Sequence, residues 1–262
     1  MIKLTNTDVH GFDVAINGMR NPMNSWRLSD SFECKHYEDF SDWHDVCQHE
    51  ECPMLKYIHT GEDIHTGPNE YHIECTAECE YVIGEEDLKL MHQLASAGDD
   101  HGKFARFINV TIDIVAPLYW WKEFDTYKVG TVSNSCSTMH KIMAKPFEVS
   151  DFSLEKVQLV DNSGLINELL ELCNDLRDIY INYDEYKKTH TINKNIKSKK
   201  DVWYILIQLL PSSYNQRRTV QLNYQVLNRI VNARQNHKLD EWHMFCDWAL
   251  NLPYFKAIYG DK

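Results

Sequence analysis

The stretch Ala116 to His140, APLYWWKEFDTYKVGTVSNSCSTMH, constrains this chain more than any other. An alternating, β-branched run, Phe104 to Val115 (FARFINVTIDIV), reads as a strand and delivers the chain to Pro117. Proline suits a helix start, because its missing N–H is not needed there and its φ is already helical. A helix is therefore expected over Pro117 to Asp125, carrying Tyr119, Trp120 and Trp121 either into a core or into a subunit interface. Gly130 breaks that pattern. After it come Thr131, Ser133, Asn134, Ser135, Ser137 and Thr138, all short donors and acceptors, followed by His140 and Lys141. Such a loop suits an anionic or polar ligand. It equally suits a solvated turn whose hydroxyls cap the next helix.

Charge narrows the choice of ligand. The net charge is −12, and it is concentrated. Residues 33–80 hold thirteen Asp or Glu against two Lys, so the rest of the chain is close to neutral. Nucleic acid is excluded as a partner for the acidic part, while the remainder keeps the capacity to hold a small anion. No run approaches the roughly eighteen apolar residues of a membrane span, and no signal peptide is visible, so a cytoplasmic protein is expected. The acidic segment, Phe32 to Tyr81, also carries five of the eight cysteines and six of the thirteen histidines. Zinc favours four N or S ligands with tight C-x2-C pairs. Cys34-x-His36, Cys47-x4-Cys52 and Cys75-x3-Cys79 depart from that spacing. The segment therefore reads first as an acidic surface insertion without metal, with a structural zinc in an inserted hairpin as the alternative.

Elsewhere the periodicity is plainer. Ile2 to Asp13 reads as a first strand. Leu88, Met91, Leu94 and Ala95 sit at helical spacing ahead of a stop at Gly98. Leu154 to Tyr183 reads as a helix with a buried leucine stripe. Asp201 reads as the cap of VWYILIQLL, which ends at Pro211. Within Leu210 to Arg234, Arg218, Leu222, Gln225 and Arg229 fall on one face of a helix, where arginines and amides could hold a phosphate or a flavin chain. A last helix is expected over Asp240 to Leu250.

The order of these pieces resembles the flavin-dependent thymidylate synthase (ThyX) family. In that family a G-H-x-S-x-x-E-H run and a strand lead to a helix ending in Q-x-x-R-H-R-x7-S-x-R. R-x-x-L-P follows, and then a helix opening on N-x-R. The landmarks here are Gly98, the strand Phe104 to Val115, the helix from Pro117, Leu210-Pro211, Asn223 and Arg234. The likeness runs from about Ile83 to Phe245, plus the start of the chain. It implies an α+β fold, a mixed or antiparallel sheet flanked by helices. The whole chain, 1–262, would be one domain, interrupted by the 32–81 insertion. It further implies a homotetramer with a pocket between subunits for a nucleotide and FAD.

On this resemblance Lys128, Thr131, Asn223 and Gln225 face the cofactor. Arg20, Ser25, Ser135, Ser137, Arg217, Arg218 and Arg229 face the substrate. Tyr127 and His140 are the proton-transfer candidates. The diagnostic side chains differ, however. R-H-R falls on Thr126-Tyr127-Lys128, the arginine of R-x-x-L-P on Ile207, and that of N-x-R on Gln225. The phosphate-binding serine and arginine fall near Ser137 and Met139-His140, and the Glu-His pair has no counterpart. Each lost charge-assisted bond to a phosphate is worth about 1.5–3 kcal/mol. The expectation is thus a nucleotide-binding relative and not a standard dUMP-methylating enzyme. The alternatives are a non-catalytic protein that sequesters or senses a nucleotide, and an active flavin-dependent synthase.

Overall fold

The computed structural model describes residues 1–33, 81–160, 164–190 and 195–260, with the backbone alone for 55–59 and 71–75. The cysteines and histidines of 34–80, and with them the question of zinc in the insertion, lie outside the described side chains. The chain divides into two compact units. The first comprises Met1–Asp8, Val110–Leu222 and Arg229–Trp248. The second comprises Val9–Asn109, Asn223–Asn228 and Ala249–Lys262.

The first unit is built on a four-stranded sheet. Its strands are β1 (Lys3–His10), β6 (Asn109–Pro117), β7 (Val132–Ser135) and β8 (Asn215–Asn223), in the order β1-β6-β8-β7. β6 is central because it obeys period two: Val110, Ile112, Ile114 and Ala116 are fully buried, while Thr111, Asp113 and Val115 alternate with them on a half-exposed face. β6 runs directly into α3 (Leu118–Phe124), whose N-cap is Pro117 in extended conformation, close to the expected start. Trp120 and Trp121 belong to the core: both are essentially unexposed. Trp120 packs on Phe124, Trp242 and Phe245, the last two from α10 (Asp240–Leu250). Trp121 donates its indole N–H to the Gln216 carbonyl, tying α3 to β8 at 2.9 Å.

A second apolar cluster in this unit joins α5 (Glu155–Gln158), α6 (Leu165–Ile181) and α8 (Lys199–Leu209) around Ile142, Phe147, Ile166, Cys173 and Leu206; Ile142 is the C-cap of α4 (Thr138–Lys141), and α7 (Tyr183–Thr189) follows α6. Three expectations are corrected here. The single helix over 154–183 is interrupted between α5 and α6, and Leu159, Leu165 and Leu172 are exposed; Ile166 and Cys173 supply the buried stripe. Ser198, not Asp201, is the N-cap of α8. Asp201 is the third helical residue and reaches back to the Ser198 N–H at 2.8 Å, completing a capping box. The largest correction concerns 210–234. Residues 215–223 are a strand, so Arg218 and Leu222 share no helix face with Gln225 and Arg229, which lie on α9 (Tyr224–Arg234). Val220 and Leu222 are buried while Thr219 and Gln221 are exposed, and pairing with β7 confirms the period of two.

The second unit contains α1 (Phe12–Arg20), α2 (Glu85–Ser96), α11 (Phe255–Tyr259) and two antiparallel pairs. These are β2 (Phe32–Glu33) with β5 (Tyr81–Val82), and β3 (Leu55–His59) with β4 (Tyr71–Cys75). The α2 helix stops at Gly98, whose φ of +105° favours glycine, as the sequence implies. The expected strand from Phe104 begins later: Gly102–Arg106 is a 3-10 turn that buries Phe104 and Ala105. Among the described residues no helix is long and apolar enough to cross a membrane.

Candidate functional site

The hydroxyl-rich segment after Gly130 is not a loop. Val132–Ser135 forms β7, an edge strand with all four side chains exposed, paired antiparallel to β8 so that Ser135 faces Arg218. The pairing ends as the Cys136 N–H donates to the Arg217 carbonyl at 2.9 Å. Ser137 then caps α4, its hydroxyl accepting from the His140 N–H at 3.2 Å. Directly beside these residues lies a cleft of about 300 Å3. Its polar wall is Cys136, Ser137, Thr138, Lys141, Lys145, Asp151 and Arg217, and its apolar wall includes Ile142, Phe147 and Tyr214.

The cleft is positively charged within an acidic protein. Lys145 pairs with Asp151 at 2.7 Å, and that hydrogen bond holds its ammonium pKa above the ordinary value. Arg217 pairs with Asp113 at 2.6 Å but stays mostly exposed. Lys141 has no ion-pair partner among the described residues. Asp113 also accepts from Asn6 at 2.8 Å and from Thr219. Hydrogen bonds from Thr219, Asn6 and Arg217 lower its carboxyl to about 2. Burial pushes the Tyr214 phenol up, so it remains a neutral donor. Three cations against one lining carboxylate suit a phosphate or carboxylate ligand. Lys145 and Asp113 do not stand out as site residues in the sequence, whereas Lys141 closes the hydroxyl-rich run that suits an anion. An acid inside the apolar run of β6 was the available signal.

Tyr127 belongs to a separate polar cluster in the same unit. Its hydroxyl accepts from Arg234 Nε at 2.8 Å, and Arg234 reaches Glu123 Oε2 at 2.8 Å through a terminal N–H. The same oxygen accepts from the Trp242 indole at 2.9 Å and lies 3.2 Å from His237 Nε2. Because His237 Nδ1 accepts from the Leu239 N–H, the ring carries its proton on Nε2 and donates it to Glu123. Arg234 is held over the Trp242 ring at 4.8 Å. Glu123 and His237 went unread in the sequence, since the spacing between 123 and 234–242 has no local signature.

The other site residues of this unit scatter. Lys128 is exposed at the turn after α3, and the Thr131 hydroxyl is buried without a hydrogen-bond partner among the described residues. His140 is exposed on α4 and does not line the cleft. Arg218 stacks on Trp121 at 4.1 Å and pairs with Asp125 at 2.7 Å. Arg229 is exposed on α9.

In the second unit, Arg20 and Ser25 are brought together, but inside a closed cluster. Arg20, 5% exposed, donates to Asp87 at 2.6 Å and to the Ser25 carbonyl at 3.3 Å. The other Asp87 oxygen accepts from the hydroxyls of Ser29 and Ser31 at 2.6 Å each. Burial raises the Asp87 pKa, yet those two hydroxyls and Arg20 outweigh it, and the net direction is downward. Asp30 caps α2 from outside, accepting from the N–H groups of Glu86 and Asp87. It leaves no room for a Cβ at Gly84, which would stand 2.1 Å from the Asp30 carboxyl carbon.

Asn223 and Gln225 are likewise engaged. Asn223 Oδ1 accepts from the Val226 N–H at 3.1 Å as a helix cap. Gln225 is buried, donates to the Asp99 carbonyl at 3.2 Å and accepts from Arg106 Nε at 2.5 Å. The guanidinium of Arg106, an exposed residue that the sequence did not flag, is thereby fixed beside position 225. No group of three metal-ligating side chains occurs among the described residues.

Strand pairings that are antiparallel, with helices packed against them, define an α+β protein, and the architecture is that of ThyX. Two solved ThyX structures from Helicobacter pylori, both holding FAD and dUMP, are similar to the chain over nearly its full length. One is 12% identical, covering 98% of this chain and 96% of that one, with a TM-score of 0.54. The other is 13% identical, covering 97% and 96%, with a TM-score of 0.55. At that identity the likeness shows the fold alone. No family profile matches the sequence, and no curated protein matches it.

Proposed function

We propose that this chain is a ThyX-fold nucleotide-binding protein that takes the anionic end of its ligand in the cleft beside Ser137. The carrying observation is the cationic lining of Lys141, Lys145 and Arg217 in a protein of net charge −12, with Lys141 unpaired among the described residues. The ThyX structures that share the fold were solved with dUMP, which makes a pyrimidine nucleotide the first ligand to try. Ser137 and Thr138 line the same cleft and supply hydroxyls, and Tyr214 supplies a protonated phenol beside Phe147. By resemblance the assembly is a homotetramer, which size-exclusion chromatography tests directly, and its location is cytoplasmic, which fractionation of cells tests.

The residues assigned to FAD fit it poorly. Asn223 is spent on a helix cap and Gln225 on Arg106 and Asp99. Lys128 offers one point charge where a flavin clamp needs a bidentate fork. FAD would supply hydride chemistry if bound. One observation favours turnover as the second reading. Tyr127, Arg234, Glu123 and His237 form a connected set of proton-bearing groups, more than passive binding requires. His140, exposed on α4, makes no side-chain contact of that kind among the described residues; only its backbone N–H is engaged, donating to Ser137.

Thermal shift with dUMP, dTMP and inorganic phosphate tests the binding. At least one nucleotide should raise the melting temperature, and Lys141→Ala should weaken that effect. A protein unmoved by every nucleotide, or a Lys141→Ala variant with the full shift, overturns the reading. Chromatography of the recovered nucleotide separates binding from conversion.

A further inference from the structure

A second cavity, of about 520 Å3, lies in the first unit between Tyr119 at the start of α3, residues 153–159, and residues 238–241 leading into α10, with Met1 at its edge. Its rim charges pair with one another. Lys156 Nζ is 3.3 Å from Asp240, and the Met1 ammonium donates to Glu155 and, at 3.1 Å, to the Ser153 hydroxyl. Lys238 is exposed, so the cavity has no net charge as a whole.

Glu241 differs from all of these. It is only 6% exposed, and its Oε1 accepts from the Tyr119 hydroxyl. No cation pairs with it among the described residues. Tyr119 satisfies a hydrogen bond but carries no charge. Burial, followed by Glu241 itself, drives the phenol pKa well above its ordinary value, so it stays protonated. A buried carboxylate with only a neutral partner lacks the counter-charge that usually accompanies burial. Its place in the first turn of α10 offsets part of that deficit through the helix dipole, and only part. The cavity's apolar lining is Leu154, Val157, Leu159 and Leu239, of which Leu154 is buried and Leu159 lies at the exposed edge.

We propose that this cavity binds an organic ammonium ion on a short aliphatic stem, with the ammonium on Glu241 and the stem against Leu154 and Leu239. Divalent metal is disfavoured, since Ca2+ and Mg2+ need several oxygen ligands and only one carboxylate is buried here. Because the cavity is neutral overall, the bond to Glu241 and not a long-range field supplies the attraction. Binding should therefore persist at a salt concentration that screens general attraction to the acidic surface.

The test is a titration of the full-length 15N-labelled protein with n-butylammonium chloride in 0.3 M NaCl, followed by amide chemical shifts. The neutral n-butanol serves as the control. Saturable shifts should cluster at Tyr119, 153–157 and 238–241, and n-butanol should produce none of comparable size. Glu241→Gln should abolish them while distant amides keep their positions. Tyr119→Phe, which keeps the carboxylate and removes the hydroxyl that donates to it, should bind at least as tightly as the parent. Should Glu241→Gln unfold, loss of saturable shifts in Tyr119→Phe would itself overturn the proposal. So would shifts spread over the acidic surface, equal binding of n-butanol, or full binding in Glu241→Gln.

Discussion

Two arginine–aspartate pairs, Arg20–Asp87 in the second unit and Arg217–Asp113 in the first, have the same N–O separation of 2.6 Å and opposite roles. At Arg20–Asp87 both side chains are almost wholly buried, and Ser29, Ser31 and the Ser25 carbonyl complete the hydrogen bonding. With 5% of the arginine and none of the aspartate exposed, the pair offers no open face to a ligand. At Arg217–Asp113 the carboxylate is nearly buried on the sheet face, but the arginine remains largely exposed and lines a cleft with Lys141 and Lys145. An ion pair whose every donor and acceptor is used internally holds a fold together. One that leaves a guanidinium edge in an open cleft can turn it toward a guest.

The sharpest way to break this comparison is Asp87→Ala. It strands the Arg20 charge away from water, and breaking a buried pair in that manner costs about 3–5 kcal/mol. The melting temperature should fall steeply, or the protein should fail to accumulate in folded form. Circular dichroism during heating reads the outcome. A loss as small as that of an exposed pair would mean that Arg20 finds water or another partner, and the closed cluster would lose its meaning. The acid limb carries the same message. Asp87 has a folded pKa below its unfolded one, so its stabilisation is complete above the unfolded value and declines as pH falls through the folded one.

Lys141→Ala should act in the opposite register. Removing one charge-assisted contact to a bound phosphate costs about 1.5–3 kcal/mol, roughly ten- to a hundredfold in Kd. An exposed lysine on a four-residue helix contributes within about 0.5 kcal/mol to stability. Calorimetric titration with dUMP, alongside a thermal melt of the free variant, separates the two effects. A large stability loss with unchanged affinity would erase the distinction between the two regions.

Much of the architecture was legible where local pattern and tertiary partner agree. Pro117 opens α3, Gly98 closes α2, and Trp242 and Phe245 bury on α10, all from residues within a few positions of the boundary. The reading failed where the deciding partner was distant. Arg218, Leu222, Gln225 and Arg229 fit a helix face by arithmetic, yet 215–223 pairs with β7, and a period of two wins as soon as a neighbouring strand is present. The serines after Gly130 become an edge strand for the same reason. For the site, the cleft was half visible. Ser137 and Arg217 line it, while Lys145 joins from a segment whose neighbours Ile142, Met143 and Phe147 are anchored in the apolar cluster. Arg20 reads as a ligand contact from sequence alone because nothing near it announces Asp87.

The smallest expected effect sharpens the comparison from the open side. Arg217→Ala removes an exposed partner from Asp113, and such pairs are worth about 0–1 kcal/mol, so the melting temperature near pH 7 should barely move. Its trace should appear in acid instead. Thr219, Asn6 and Arg217 together lower the Asp113 pKa to about 2, against roughly 3.9 for an unperturbed aspartate. A depressed folded pKa stabilises above the unfolded value and loses that contribution as pH falls, so the window runs from about pH 4 down to about 2. Thr219, the largest contributor, and Asn6 remain in Arg217→Ala, which should therefore narrow the window only at its lower edge. Asp113→Asn should flatten the acid limb across the whole of it. Identical acid limbs in the parent and in Asp113→Asn would show that the carboxylate is not held by these partners, and Arg217 would then be free to leave the sheet without any guest to draw it.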